Sequence, residues 1–378
     1  MKAKTIVLLA ALAACRFASA RPLGAGIEAF NRTFAADSAG SCVFSPLGFE
    51  LDCVLFAESG DTLVRAGIAE SIGVLTEFDA TFKPVLDHFG GMAVSNGFRW
   101  VSARAFCVTD IRRSSRVFRN RVWNLYGAEV CAKNPPVGAE AYLRAKLDGD
   151  MEDFEIPTGD ATSDRQLFYD LVSVSVAPYG LFPSAAVTER EFQAPGGRRK
   201  VRMVSGVALH GRHVSKIHTL ARLPLKDGAF LYAVMPNEGH TLAEIRARFN
   251  PVRFEEMLLE PEMVGLAGTG TFKARITLPE MDFVRENDLS VALAGCKVPA
   301  NGLVMLGPDS PGARRSRQRV RFRFGSNDDP PAEPAAKPGE FVAVPPSAPE
   351  LVFDRPFLWF VHHPKTVSLP AMGVYAGE

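Results

Sequence analysis

Residues 325–349 constrain this chain more than any other segment. Seven prolines and the adjacent acids Asp328 and Asp329 fall within them, with no apolar periodicity before Phe341. Proline lacks an amide donor, so the segment makes neither a helix interior nor a central strand and reads as an exposed loop. On its N-terminal side Arg319, Arg321 and Arg323 alternate with Val320, Phe322 and Phe324, the period of a half-buried strand. On its C-terminal side 351–361 is almost wholly apolar. The fold must carry a long excursion between two strands, and structureless loops of that length in a compact domain are usually functional or disordered.

The elements around the loop are mixed. Ile27, Phe30 and Phe34 stand at helical spacing, 47–57 is an apolar run long enough for a buried helix, and Asp61 caps a helix that Gly73 stops. Strands are predicted at 98–108, 167–176, 200–207, 221–225, 230–235, 271–278, 320–324, 351–361 and 367–374, with helices at 117–126, 142–147 and 241–249. No βαβ rhythm runs through them. The class is α+β, dominated by antiparallel sheet.

The chain has 378 residues with 43 basic and 42 acidic side chains, so no charge excess points to nucleic acid. An apolar share of 47% builds a large core. Lys2 and Lys4 precede nine apolar residues (6–14) and the small-x-small site Ala18-Ser19-Ala20, the pattern of an export signal over residues 1–20. The apolar run is about half of the ~20 residues that span a membrane, so release in soluble form, outside the cell or into a periplasm, is expected. Leu12-Ala13-Ala14-Cys15 offers the alternative of lipid attachment at Cys15.

No nucleophile elbow, zinc-protease helix, phosphate loop or dinucleotide fingerprint occurs, so neither a catalytic residue nor a cofactor is assigned. His210, His213 and His218 lie in a polar stretch with no carboxylate at ligand spacing, and His362 and His363 point to opposite faces of a strand. Both groups read as surface histidines, and no metal is expected. Arg314, Arg315, Arg317, Arg319, Arg321 and Arg323 form the densest basic run. Their face either binds an anionic glycan or is balanced by neighbouring acids.

The segment Leu351-Val352-Phe353-Asp354-Arg355-Pro356-Phe357-Leu358-Trp359-Phe360-Val361 resembles the serpin signature, with Phe353, Asp354, Arg355, Pro356 and Phe357 at its centre. Four further segments agree in order: Val43-Phe44-Ser45-Pro46-Leu47, Tyr126-Gly127-Ala128-Glu129-Val130, 223–236 and Ile276-Thr277-Leu278-Pro279-Glu280-Met281. The resemblance spans about 24–376 and implies one domain after the leader (21–378). It implies three mostly antiparallel sheets, about eight to nine helices, and an exposed reactive loop at about 325–349. The implied activity is inhibition of an extracellular serine or cysteine endopeptidase by a monomer, with loop insertion into the central sheet as the driving event. It also makes the strands of Cys107 and Cys131 neighbours, the one disulfide named.

This chain departs from the family where insertion is most demanding. The hinge Gly325-Ser326-Asn327 runs into Asp328-Asp329-Pro330-Pro331, with Pro334 beyond. Each buried carbonyl left unmatched costs about 1–3 kcal/mol, and a buried carboxylate costs more. A family Trp is Phe182, an upstream Asn reads as Val174, and a helix serine is Gly48. Counting from the two ends of the loop brackets the scissile bond within Gly339, Glu340, Phe341, Val342, Ala343, Val344 and Pro345, apolar enough for a chymotrypsin-like or elastase-like protease. A serpin that binds or presents without inserting is the alternative.

Overall fold

Among the described residues, four helices build the N-terminal quarter. In α1 (Gly24–Thr33) Ile27, Ala29 and Phe30 are buried. Every residue of α2 (Pro46–Ser59) is buried, as its largely apolar run predicts; Ser45 caps it by accepting from the Gly48 amide. The Asp61 carboxylate caps α3 (Thr62–Ile72), and Gly73 closes it at φ 68°. Sequence reading missed α4 (Phe78–Gly90), although Phe78, Phe82, Val85 and Phe89 are spaced to fill one face and are all buried. The computed structural model describes residues 23–36, 38, 40–91, 97–132, 137–147, 149–151, 153–155, 167–180, 182–262, 269–307, 310–326 and 350–377.

The remaining helices are α5 (Arg116–Tyr126), α6 (Val137–Leu147), α7 (Leu242–Arg248), α8 (Pro251–Leu259) and α9 (Ser290–Gly295), which makes nine among the described residues. The strands are β1 (Cys42–Phe44), β2 (Phe98–Val108), β3 (Ala128–Ala132), β4 (Leu167–Val176), β5 (Val187–Ala194), β6 (Gly197–Val214), β7 (His218–Pro224), β8 (Phe230–Pro236), β9 (Gly270–Pro279), β10 (Met281–Asp288), β11 (Ser316–Phe324), β12 (Leu351–Val352), β13 (Phe357–His363) and β14 (Ser368–Tyr375).

Among the described residues two hydrogen-bonded sheets result. One holds five strands in the order β10-β11-β4-β2-β3; the other holds nine, β1-β14-β13-β8-β7-β6-β9-β12, with β5 on β6. The long β6 accounts for two sheets rather than three. It pairs with β5 over its first half, with β9 through its middle and with β7 at its end, stitching two sheets into one.

The buried α2 contacts β14 of the larger sheet and β4 of the smaller. Elsewhere the sheets meet directly: Phe322 of β11 stacks on Trp359 of β13 with ring centroids 4.0 Å apart. Both side chains have no exposure.

Candidate functional site: the seam between β4 and β11

β11 alternates buried and half-buried residues along all nine positions, and β4 is buried almost throughout. They pair in parallel, from Ser316 opposite Phe168 to Phe324 opposite Val176. A parallel pair cannot be joined by a hairpin. A chain that turns back at Gly325 therefore runs antiparallel to both, and entering the seam would give it a hydrogen-bonding neighbour on each side.

The far end of the excursion is anchored in the other sheet. Leu351 stands opposite Ile276 of β9. Glu350 Oε1 accepts from Thr277 Oγ1 at 2.6 Å and from Arg190 Nη1 at 3.2 Å. The signature residues follow: Phe353 and Phe357 are fully buried with rings 5.2 Å apart, the Asp354 carbonyl accepts from the Gln193 amide at 2.7 Å, and Arg355 Nε donates to Asp354 Oδ1 at 3.0 Å. Pro356 precedes β13 and sends the chain back into the core. Of the predicted hinge, Gly325 and Ser326 are described and follow β11 as unpaired chain; Asn327 to Pro331 and the bait positions 339–345 lie outside the described residues.

Beneath the seam four polar side chains with at most 1% exposure meet: Asp52 on α2, Arg104 on β2, Asp170 on β4 and Gln318 on β11. Arg104 Nε donates to Asp52 Oδ1 at 2.9 Å, Nη1 donates to Ser102 Oγ at 2.9 Å, and Nη2 lies 3.2 Å from Asp170 Oδ1. Gln318 Nε2 donates to Asp170 Oδ2 at 2.9 Å and to the Ser45 carbonyl at 3.1 Å, while its Oε1 accepts from the Ser45 amide at 3.0 Å. Ser45 Oγ donates to the Pro370 carbonyl at 2.7 Å. One cluster thus fastens both strands of the seam to α2, to β2 and to the chain beside β14.

Two buried carboxylates facing one guanidinium leave an uncompensated negative charge, which an anhydrous site disfavours strongly. Burial pushes Asp52 well above the usual carboxylate range, the Asp170 charge pushes it further, and Arg104 draws it back. Burial also raises Asp170, against Arg104 and Gln318. Asp52 is the more strongly raised of the two carboxyls, and with one proton held there the cluster is neutral overall. Sequence reading missed all four residues. The signal was present, since Asp52, Arg104 and Asp170 each interrupt a run predicted to be buried, and a charge in such a place requires a partner. Asp170 is the residue that β4 contributes to this cluster; Val174 is an ordinary buried side chain, as is Phe182.

Other expectations change. His210, His213 and His218 are 2%, 7% and 4% exposed, because β6 runs on to Val214 instead of ending near 207. A carboxylate does reach two of them: Glu260 Oε2 lies 3.3 Å from His218 Nε2, Oε1 lies 3.9 Å from His213 Nε2, and Arg253 Nη2 donates to Oε1 at 2.5 Å. His363 does not end its strand at the surface but is fully buried. The arginines of β11 are spent in ion pairs: Arg317 with Asp288, Arg319 with Asp153, Arg321 with Asp282 and Arg323 with Asp150. That face is balanced by acids rather than cationic, and within the run only Arg314 is exposed rather than half-buried. Cys107 and Cys131 stand directly opposite each other on β2 and β3, and no disulfide joins them in the structure.

No sequence-family profile matches the chain, and no curated protein aligns with it. Solved structures do match. Native protease nexin-1 with heparin superposes with a TM-score of 0.77 at 16% identity, covering 95% of this chain and 99% of that one. Uncleaved ovalbumin gives 0.77 at 14%, covering 95% and 99%, and serpin-12 of Manduca sexta gives 0.75 at 12%, covering 95% and 98%. The chain has the serpin fold.

Proposed function

We propose that this chain is an exported, monomeric member of the serpin family that inhibits a serine or cysteine endopeptidase through residues 325–349, after removal of residues 1–20. The observation that carries this reading is the parallel β4–β11 pair with the loop leaving at Gly325. It is the arrangement a cleaved loop needs in order to enter as a strand antiparallel to both neighbours. The bait lies within 339–345, and a chymotrypsin-like or elastase-like protease suits its apolar residues. Among the described residues no helix is long and apolar enough to cross a membrane. The fold likeness agrees with solved structures that include a protease nexin and a mouse protein-Z-dependent protease inhibitor.

A second reading has its own support. The Asp52, Arg104, Asp170 and Gln318 cluster fastens both strands of the seam from below, and Asp328, Asp329, Pro330, Pro331 and Pro334 oppose pairing from the loop side. On that reading the protein binds or presents its loop without inserting it.

Incubation with elastase and chymotrypsin separates the two. Trapping yields an adduct stable in SDS, and the cleaved chain melts at a much higher temperature. A nicked chain with an unchanged melting temperature would refute trapping and leave the presenting role.

A further inference from the structure

We propose that His88, Asp227 and His363 form a binding site for one divalent cation of the zinc type. They come from three separate elements: α4, the turn between β7 and β8, and the end of β13. His88 Nε2 lies 3.3 Å from His363 Nε2, His363 Nε2 lies 3.2 Å from Asp227 Oδ2, and His88 Nε2 lies 3.4 Å from the same oxygen. The three atoms make a nearly equilateral triangle. Tetrahedral zinc with bonds of about 2.0–2.1 Å needs ligand-to-ligand edges of about 3.3–3.4 Å, so a cation just off the plane of the triangle meets all three at bonding distance.

The surroundings hold that geometry. His363 Nδ1 faces Thr366 Oγ1 at 2.9 Å, and Thr366 Oγ1 lies 2.7 Å from Ser368 Oγ, an outer shell that fixes the ring with Nε2 toward the triangle. Phe89 and Phe98 pack against the His363 ring at 5.2 and 5.6 Å. Asp227 adopts φ 68°, a left-handed conformation that glycine, asparagine and aspartate take up more readily than other residues. The His88 and Asp227 side chains are 29% and 16% exposed, so the fourth position faces solvent and takes water. Lys365 Nζ lies 3.8 Å from Oδ1 of Asp227, the oxygen outside the triangle, and its side chain is 62% exposed.

The other histidine group fits a cation less well. Glu260 already accepts from the Arg253 guanidinium, and His213 stands 3.9 Å from it, so that carboxylate is neutralised and the triangle is wider. A cation at His88, Asp227 and His363 would instead join α4, whose Phe89 packs on Phe98 of the five-stranded sheet, to β13 of the nine-stranded one. It would tie the two layers together.

The test is titration of the full chain, dialysed against a chelator, with zinc chloride in competition with a chromophoric chelator, alongside thermal unfolding with and without zinc. The site predicts one equivalent bound and a higher melting temperature with zinc. His88→Gln and Asp227→Asn should each weaken binding by more than the roughly 10–100-fold that loss of an outer-shell partner costs, while Glu260→Gln leaves it intact. Circular dichroism of the metal-free variants confirms that they are folded, and His88 is exposed enough to be replaced without opening the core. Failure of the wild-type chain to take up zinc, or undiminished uptake by either folded site variant, would overturn the assignment.

Discussion

Gly48 of α2 faces Asp170 of β4 so closely that a β-carbon added to the glycine would stand 2.7 Å from Asp170 Oδ2, with Gln318 Nε2 at 2.9 Å and Ser45 Oγ at 3.1 Å. All three atoms are hydrogen-bonded and buried, so none can swing aside without losing a partner. Gly48→Ala should therefore lower the melting temperature. Crowding of about 1–3 kcal/mol outweighs the helix preference for alanine, at most about 1 kcal/mol. Calorimetry showing an equal or higher midpoint would mean that the cluster yields.

Asp52 and Arg104 should differ sharply in the cost of removing their charge. Asp52→Asn puts a neutral isostere where burial favours the protonated acid and should cost little. Arg104→Leu strands Asp170 without its cation and should cost about 3–5 kcal/mol. The pH dependence separates them further. The folded pKa of Asp52 lies above its unfolded value, so its contribution is full below about 3.9 and is lost as pH rises toward the folded value. Denaturant titrations from pH 4 upward should show Asp52→Asn gaining on the wild type.

Burial holds His210 below the ordinary imidazole range. The unfolded chain then takes up the proton first, so stability falls as pH drops below about 6.5, by at most about 1.4 kcal/mol per pH unit from this group. His210→Gln should flatten that slope between pH 6.5 and 5. Parallel slopes for the two proteins would refute the assignment.

Replacing Asp328, Asp329, Pro330, Pro331 and Pro334 with alanine and threonine removes the charges and missing donors that oppose strand pairing. The share of protease recovered in the SDS-stable adduct should rise above that of the wild type. If it does not, the obstacle to trapping lies in the seam and not in the loop.

Because Arg317, Arg319, Arg321 and Arg323 are each paired, a sulfated-glycan column should release the protein at or below physiological salt of about 0.15 M. The double variant Asp282→Asn with Asp288→Asn, which frees Arg321 and Arg317, should be retained more strongly. Tight retention of the wild type would mean that the ion pairs open readily.

Much of the fold was legible because local signals agreed with it. Asp61 and Gly73 bound α3, the strand of 167–176 was read to the residue, and the alternation before residue 325 marked β11. The failures were non-local. The histidines of β6 looked solvated because Gly206, His210, Gly211 and Arg212 break its apolar alternation, and only pairing with β9 shows that the strand continues. The Asp52, Arg104 and Asp170 cluster unites residues far apart in sequence, and the third corner of the His88 and His363 triangle comes from a turn that no periodicity marks. The phenylalanines of α4 carried a usable helical signal that went unread.

The stack of Phe322 on Trp359 gives the molecule an optical gauge of its own seam. Phe322 rides on β11, whereas Trp359 is fixed in the other sheet, so displacement of β11 must disturb the indole. Of the three tryptophans, Trp123 on α5 is 45% exposed and open to a collisional quencher, while Trp359 is sealed and Trp100 is 6% exposed. With acrylamide silencing Trp123, the remaining blue-shifted emission and the near-ultraviolet dichroism should follow a strand entering the five-stranded sheet in real time, without any attached label.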